Sequence, residues 1–356
     1  MKTMRSYTFL KTLSVLLVAL PLTCGFSSQG KTTITTWLPY WDINGSVVLF
    51  KESFPDTLDT INPFVYAFDK NDTLITVCKD MEAYKNALRT LQEFPVEIII
   101  TITNDVIDPK QTKIKDAAII HRILSNATLR KHHIQQILLL IKETDASGVD
   151  IDYEDIDTAD RDAFTVFIKD LADALREQEK KLYVTVQQKT EDHRRPGAGA
   201  VNWEAIAQHA DRIIIMCYNY SSRLGKPGPL CPPFWLRKII RFAKTQIPIE
   251  KICIALPLHG YDWSSEKANS VNLKSARALI AQHNARLNWN NHGACPYFIY
   301  IENGVRHEVW FENKRSVEEK IEVLKQMGIA HLAVWHLGIL DPAFSSPLKE
   351  FSHSAQ

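Results

Sequence analysis

Three carboxylates stand at alternate positions in the stretch from Gly148 to Glu154, namely Asp150, Asp152 and Glu154. Successive side chains of a β-strand point to opposite faces, and neighbours on one face lie about 6.6 Å apart. As a strand, the stretch therefore carries its acids in a row on one face and apolar or aromatic residues on the other. An ordinary buried strand does not carry such a row, because burial and mutual repulsion both penalise ionised carboxylates.

A crowded row of acids is well suited to acid–base chemistry. Crowding separates the pKa values of neighbouring carboxyl groups, so one of them can stay protonated near neutral pH. A metal site and a solvated edge strand are the two alternative interpretations. We favour acid catalysis, because acids at every second position at the end of an apolar strand fit that chemistry better.

The elements that must position this row alternate along the chain. Eight strands are predicted, at Thr32–Trp41, Thr60–Phe68, Val96–Asn104, Gly148–Asp155, Leu182–Lys189, Arg212–Tyr220, Lys251–Leu258 and His331–Leu337. Amphipathic helical patterns lie between them, including one over Asp160–Lys180. The alternation indicates an α/β protein with a parallel (β/α)8 TIM barrel. A doubly wound sheet is the alternative, but no glycine-rich phosphate loop follows the first strand.

One interval, from Gly260 to Arg315, is too long for a simple loop. It contains a helical pattern at Leu273–Ala285 and two strand-like runs on either side of Asn303-Gly304, a hairpin signal. We interpret residues 264–315 as a small α+β insertion between strand 7 and the last helix. Residues 32–345, including this insertion, are then one catalytic domain.

In such a barrel, active-site residues come from the carboxyl ends of the strands. Besides the acid row on the fourth strand, these ends carry amide and aromatic side chains, namely Tyr66, Asn104, Gln187, Tyr218, Asn219 and Trp335. Aromatic rings stack on the apolar face of a pyranose, while amides and carboxylates bind its hydroxyl groups. The combination predicts a sugar site. Packing is the alternative role for Trp335 and Tyr66, and filling of the barrel interior for Gln187.

Composition limits the classes of ligand. The 356 residues include 42 basic and 41 acidic side chains, a net charge of +1. This balance argues against a nucleic-acid-binding surface or a polybasic membrane patch. No spacing of histidines and acids predicts a metal centre or another cofactor site. His121, His132 and His133 lie on helical stretches, and we expect them at the surface.

The amino terminus resembles an export signal. Basic residues precede the apolar run Leu13–Leu22, and small or polar residues follow it, so we predict a signal peptide over residues 1–25. The run is too short to span a bilayer, and no later segment is apolar enough. The protein is therefore expected to be exported, periplasmic or extracellular. Lipoprotein anchoring through Cys24 is the less favoured alternative.

Cys231 and Cys295 lie in predicted loops, where an oxidising compartment would allow them to pair.

The acid row resembles the fourth-strand signature of glycoside hydrolase family 18, the family of chitinases and related N-acetylglucosaminidases. Met216-Cys217-Tyr218-Asn219 is similar to that family's sixth-strand motif, Leu256–Trp263 to its seventh-strand segment, and Trp335 to its eighth-strand tryptophan. Within the family, the likeness is strongest to bacterial hydrolases of spore peptidoglycan that cleave at N-acetylglucosamine. It covers roughly residues 32–345.

The resemblance implies a substrate-assisted, retaining mechanism without cofactor or metal. Glu154 would be the general acid and then the base, and the substrate's own 2-acetamido oxygen would be the nucleophile. Asp152 would orient the acetamido group, and Asp150 would share a proton or hydrogen bond with Asp152. Tyr218 would donate to the acetamido oxygen, and Trp335 would form the floor under the sugar.

The chain departs from the family pattern at two positions of the site. Asn219 replaces the usual aspartate and cannot ionise, and His259 stands where tyrosine is usual.

Two classes of function fit the sequence. The first is an N-acetylglucosaminidase that acts on peptidoglycan or chitin as a monomer, and the second is a glycan-binding lectin on the same barrel. We favour the enzyme, because family lectins typically lose the acid that is present here as Glu154.

Overall fold

The three-dimensional structure is a computed structural model that describes residues 31–193, 195–264 and 268–353. The predicted signal peptide, residues 1–25, lies outside the described residues, and so does Cys24. Among the described residues, no helix has both the length and the apolar character needed to cross a membrane.

The chain contains two β-sheets. Their strands, in chain order, are β1 Thr33–Pro39, β2 Thr60–Phe68, β3 Leu74–Thr76, β4 Glu97–Val106, β5 Gly148–Asp152, β6 Lys181–Gln187, β7 Arg212–Met216, β8 Ile252–Pro257, β9 His259–Trp263, β10 Ala268–Asn272, β11 Asn288–Asn290, β12 Cys295–Glu302, β13 Val305–Trp310 and β14 His331–Trp335. The first sheet runs in the order β1-β14-β8-β7-β6-β5-β4-β2-β3. Strand β2 also pairs in parallel with β1, which closes eight parallel strands into a barrel. The predicted (β/α)8 fold is confirmed.

Helices pack around the barrel, apart from α8, which packs beside the second sheet. They are α1 Ile43–Ser53, α2 Met81–Gln92, α3 Ala117–Leu124, α4 Ala127–Thr144, α5 Arg161–Arg176, α6 Trp203–Ala207, α7 Pro233–Gln246, α8 Leu273–His283, α9 Lys314–Gln326 and α10 Ser345–Ser352. The amphipathic patterns account for their orientation: α5 buries Phe164, Phe167, Ile168 and Leu171. The charged end of the predicted helix over Asp160–Lys180 is shorter than expected, because α5 ends at Arg176.

The barrel strands begin within a residue of their predicted starts, but most end earlier. The fourth was predicted to run to Asp155, whereas β5 ends at Asp152, which pairs with Thr103 of β4. Beyond that pair the backbone leaves the sheet and Asp155 takes a left-handed conformation, with φ 54°. The third acid of the row, Glu154, therefore stands on the loop just past the strand, at the barrel mouth.

The prediction for one histidine was wrong. His133 is buried, with 1% exposure, between α4 and the barrel, and its Nε2 lies 2.6 Å from the hydroxyl oxygen of Tyr153. Burial lowers the pKa of His133 to about 4, so the ring is neutral. Tyr153 points outward from the acid row, and the contact with His133 anchors this outer side of the strand end.

The interval after β8 contains the second sheet, in the order β10-β9-β13-β12-β11, with α8 packed beside it. Strands β12 and β13 are antiparallel and joined by Asn303 and Gly304, which both have positive φ (50° and 78°) as the hairpin turn requires. The sheet begins at His259, before the predicted start of the insertion at residue 264. Its first strand follows β8 after a single residue, which ties the sheet to the barrel mouth.

The five cysteines of the described residues are all free and buried, including Cys231 and Cys295. Burial raises the pKa of Cys295 to about 12, so its thiol stays protonated. Both side chains pack as small apolar groups, and the structure contains no bond between them.

A substitution at the start of β5 tests how tightly the barrel packs around the strand that carries the acid row. A Cβ on Gly148 would lie 2.2 Å from the backbone oxygen of Lys181 on β6, a clash that only backbone movement relieves. We expect Gly148→Ala to lower the free energy of unfolding by about 1–3 kcal/mol, measured by denaturant unfolding. The adjacent Ser147→Ala is the matched control and should change it by less than about 0.5 kcal/mol. Equal stability of the two variants would contradict this account of the strand.

Candidate active site

The acid row lies on the inner side of the barrel and rises towards its mouth. Asp150 is fully buried, Asp152 is 6% exposed, and the side chain of Glu154 is 16% exposed. The alternation predicted from the sequence is confirmed, since all three point inward while Val149 and Ile151 pack against the outer helices. The row thus passes from the dry interior to the open end of the barrel.

Asp150 is held by donors from four other strands. Its Oδ2 accepts hydrogen bonds from Trp37 Nε1 (3.2 Å), Asn62 Nδ2 (3.3 Å) and Thr101 Oγ1 (3.0 Å), and its Oδ1 accepts one from Thr185 Oγ1 (2.8 Å). Burial raises the pKa of Asp150, and these four hydrogen bonds oppose the rise. The group therefore serves as a fixed, saturated acceptor at the base of the row.

Asp152 has a different environment. Its Oδ1 is buried and has no hydrogen-bond partner. Burial raises the pKa of Asp152 well above its ordinary value, and the negative charges of Glu154 and Asp150 raise it further. A buried carboxyl oxygen without a partner is costly, and such groups concentrate where a ligand supplies the missing contact. Asp152 also lines the cleft, so its unpaired oxygen is a candidate acceptor for a donor that a ligand brings.

Glu154 is positioned through its backbone. Asn104, on β4, accepts a hydrogen bond from the Glu154 N–H (2.9 Å) and donates one to the Glu154 carbonyl oxygen (2.8 Å). The side chain is held separately, since Oε1 lies 2.7 Å from Lys115 Nζ and Oε2 accepts from Gln187 Nε2 (3.2 Å). Burial raises the pKa of Glu154, and the Lys115 ammonium opposes the rise.

Tyr218 and Asn219 follow β7, which is separated from the acid row's strand by β6 alone. Tyr218 is 8% exposed, and burial raises the pKa of its phenol well above 10, with further rises from the charges of Asp152 and Glu154. The phenol is therefore a neutral donor at any working pH. Asn219 adopts a left-handed backbone (φ 66°), and its Oδ1 accepts a hydrogen bond from the Tyr261 hydroxyl (3.1 Å). This bond links the barrel wall to the second sheet.

Aromatic rings form the floor of the cleft. Trp335 packs against Trp37 and Phe64, with ring centroids 5.5 and 5.1 Å apart. Trp41, at the rim, contacts the same cluster and is 52% exposed, and Tyr40 is 40% exposed. Exposed aromatic faces next to a row of acids provide the stacking surface and the polar groups that a sugar ring requires.

These groups line one cavity of about 480 Å³, within the range of small-molecule sites. Of the residues predicted from the sequence, it brings together Asn104, Asp152, Glu154, Gln187, Tyr218, Asn219 and Trp335, with Asp150 directly beneath. Asn104 differs from its predicted role, because its amide is engaged by the backbone of Glu154 rather than open to a ligand. The described residues include no group of three or more His, Cys, Asp or Glu able to hold a metal ion.

Tyr66 does not line the cleft, contrary to the sequence prediction. The register of β2 against β4 shifts on both sides of Tyr66, so the alternation that places Asn62 and Phe64 inward does not continue. The Tyr66 ring instead packs outward, and its hydroxyl oxygen lies 3.3 Å from that of Tyr84 on α2. A bulge of this kind leaves no clear mark in a run of apolar residues.

Several cleft residues were not predicted. Trp41 had a signal, since it ends the predicted first strand, where barrel active sites form. Asp105 directly follows the predicted third strand, and Tyr261 lies in the segment similar to the family's seventh-strand motif, so both had a signal as well. Lys115 had none, because it stands on an irregular loop. His259, noted as a departure from the family pattern, lies in the cleft wall, and burial lowers its pKa to about 4. It is therefore a neutral ring beside Tyr218.

The burial of the Asp152 carboxyl group affects the free energy of unfolding. A carboxyl group whose pKa is raised by folding stabilises the fold at low pH and loses that contribution as pH rises through the folded-state pKa. We expect Asp152→Asn to raise the free energy of unfolding at pH 7 by about 1 kcal/mol and to flatten its pH dependence. Denaturant unfolding from pH 4 to 8 measures this, with the exposed Asp56→Asn as the control. If Asp152→Asn were less stable than the parent at pH 7, the raised pKa of Asp152 would be contradicted.

The family model for glycosyl hydrolases family 18 matches residues 40–339. The cortical fragment-lytic enzyme of Bacillus anthracis is 26% identical over 310 residues, which cover 83% of this chain and 70% of that protein. The chain spans 65% of the length of a putative sporulation-specific glycosylase of Bacillus subtilis. It spans 70% of the length of the cortical fragment-lytic enzymes of Bacillus anthracis and Bacillus cereus.

Two crystal structures are similar over most of the chain. The Bacillus cereus spore cortex-lytic enzyme SleL has a TM-score of 0.80 and 25% identity, covering 90% of this chain and 74% of that one. A chitinase from Chromobacterium violaceum has a TM-score of 0.82 and 22% identity, covering 91% and 99%, and supports the fold alone. With a family match over most of the barrel and the acid row in its cleft, the chain belongs to glycoside hydrolase family 18.

Proposed function

We propose that the protein is a retaining glycoside hydrolase that cleaves β-1,4 bonds at N-acetylglucosamine, with peptidoglycan as its substrate and chitin as the alternative. The observation that carries the proposal is that Asp152, with an unpaired carboxyl oxygen, lines the same cleft as Glu154 and Trp335. An acetamido N–H is a donor of the size and polarity that this oxygen lacks. A substrate with that group also makes a separate enzyme nucleophile unnecessary.

In the first step Glu154 gives its proton to the glycosidic oxygen as the bond from that oxygen to C1 breaks. The acetamido oxygen of the same sugar attacks C1 and forms an oxazolinium ion. In the second step water attacks C1, the ring opens, and Glu154 takes the proton from that water. Two displacements at C1 leave its configuration unchanged.

The side chains around the acid stabilise the charges that develop. Asp152 accepts from the acetamido N–H and offsets the positive charge of the oxazolinium ion. Asp150, whose hydrogen bonds come from other strands, lies below Asp152 in the row, and its negative charge raises the pKa of Asp152. Tyr218 donates to the acetamido oxygen, while Trp335 stacks under the ring.

The raised pKa of Glu154 supports its role as an acid. Burial favours the neutral carboxyl group, which is the form that can donate a proton. Gln187 contributes an amide donor to the same carboxyl group, and Asn104 fixes the backbone that carries it. Asn104 is therefore a positioning residue in this proposal, and Gln187 contacts both acid and substrate.

Peptidoglycan is favoured over chitin by the relatives. The enzyme of Bacillus anthracis is named for lysis of cortical fragments, and the structure from Bacillus cereus for lysis of the spore cortex. The amino-terminal pattern of residues 1–25 supports export, and we propose that the exported protein acts on a cell wall as a monomer. Residues 32–345, with the insertion, form the catalytic domain in this proposal.

The test is mass spectrometry of purified peptidoglycan and of chitin oligomers after incubation with the mature protein. We expect new reducing-end N-acetylglucosamine from peptidoglycan. Glu154→Gln should lower the rate by at least about 100-fold, because no proton donor remains, while glycan affinity stays within a few-fold of the parent. Cleavage of chitin alone would move the enzyme to the chitinases. Binding without product from either would favour the lectin, and an equally active Glu154→Gln would contradict the mechanism.

A further inference from the structure

Lys115 stands in the segment between β4 and α3, on the rim of the cleft. Its backbone adopts a left-handed conformation (φ 56°), which costs a non-glycine residue free energy. The Lys115 N–H donates to Asp105 Oδ1 (2.8 Å), and this contact holds the loop against β4. The strain and the hydrogen bond together aim one side chain into the cleft.

The Lys115 ammonium lies 2.7 Å from Oε1 of Glu154. Its side chain is 39% exposed and that of Glu154 is 16% exposed, so the lysine is the more exposed member of the ion pair. Among the described residues that line the cleft, Lys115 is the only lysine or arginine, facing Asp105, Asp152 and Glu154. A single positive charge is therefore placed where the proton donor meets the open part of the cleft.

This ion pair opposes the proposed chemistry. An ammonium at contact distance stabilises the carboxylate form of Glu154, whereas bond cleavage requires the protonated form. A neutral substrate brings no carboxylate of its own to take the place of Glu154 at the Lys115 ammonium. A substrate that brings its own carboxylate would draw the ammonium away and leave Glu154 free to hold its proton.

The position of Lys115 indicates where that carboxylate must lie. Glu154 touches the glycosidic oxygen during proton transfer, so the ammonium comes within about 5–6 Å of that oxygen, two hydrogen-bond lengths away. In a β-1,4 glycan this oxygen is O4 of the leaving sugar. Muramic acid carries a lactyl ether on the adjacent carbon, C3, where the N-acetylglucosamine of chitin has only a hydroxyl group.

We infer that Lys115 is a specificity-determining residue, whose ammonium leaves Glu154 for a carboxylate carried by the leaving-group sugar. The inference rests on the proposed function. It assigns the enzyme to glycans with an acidic substituent beside the scissile bond and against neutral chitin. The carboxylate belongs either to the lactyl group itself or to a short stem peptide attached to it.

The experiment compares four oligosaccharides with the mature protein. Two are N-acetylglucosamine–muramic acid oligomers with the lactyl carboxylate free or capped as a methyl amide. A third carries the first two residues of the stem peptide, and the fourth is a chitin oligomer of the same length. We expect kcat/KM to be about tenfold higher for a substrate with a carboxylate than for the capped one, the range of a charged hydrogen bond. Preference for the free lactyl or for the peptide form identifies the source of the carboxylate.

Three variants separate charge from folding. Lys115→Met should reduce the preference to about one, and Lys115→Arg should retain most of it. Lys113→Met, two residues away and paired with Asp116, is the matched control and should keep the full preference. Loss of the ammonium also raises the pKa of Glu154, so the alkaline limb of the kcat/KM profile should move to higher pH in Lys115→Met. A purely structural role would lower all rates together and leave this limb in place.

The outcomes distinguish the two proposals. If the parent protein cleaves the oligomers without preferring a carboxylate, or if the preference survives in Lys115→Met, this inference is overturned while the hydrolase assignment stands. If the parent cleaves none of the four, the proposed function falls and the inference falls with it.

Discussion

The barrel is organised around one buried carboxyl group. Asp150 accepts hydrogen bonds from side chains of β1, β2, β4 and β6, so a single acid ties together strands that are distant in the sequence. A buried acid without these donors would destabilise the fold, because desolvation of its charge would be uncompensated. Since side chains alternate along a strand, the position of Asp150 also sets that of Asp152 above it, while Asn104 fixes the backbone of Glu154 just past the strand.

The surroundings of the three acids change from the barrel interior to its mouth. Asp150 is saturated, Asp152 has a free oxygen, and Glu154 is held by residues that also line the cleft. Exposure therefore increases from Asp150 to Glu154, and the unsatisfied oxygen of Asp152 is the kind of local cost that active sites carry. The Lys115 ammonium is the exception, because it stabilises the carboxylate of Glu154 at the most exposed point of the row.

The eight barrel strands and the inward acid row could be predicted from sequence, since both follow from local periodicity. Helix α5 and the hairpin at Asn303-Gly304 were likewise marked by local patterns. Tyr66 could not be predicted, because a register shift in β2 reverses its direction. Nor could the backbone role of Asn104 or the burial of His133, which depend on partners about 50 and 20 residues away. Lys115 reaches Glu154 from an irregular loop, where periodicity carries no information.

The central claim is that the acid row acts with the substrate's own acetamido group as nucleophile. The most direct measurement is proton NMR of the reaction as it starts, which distinguishes the anomers of the new reducing-end N-acetylglucosamine before they equilibrate. The account predicts that the β anomer appears first, because two displacements at C1 retain configuration. Initial release of the α anomer would show a single displacement by water and would contradict it.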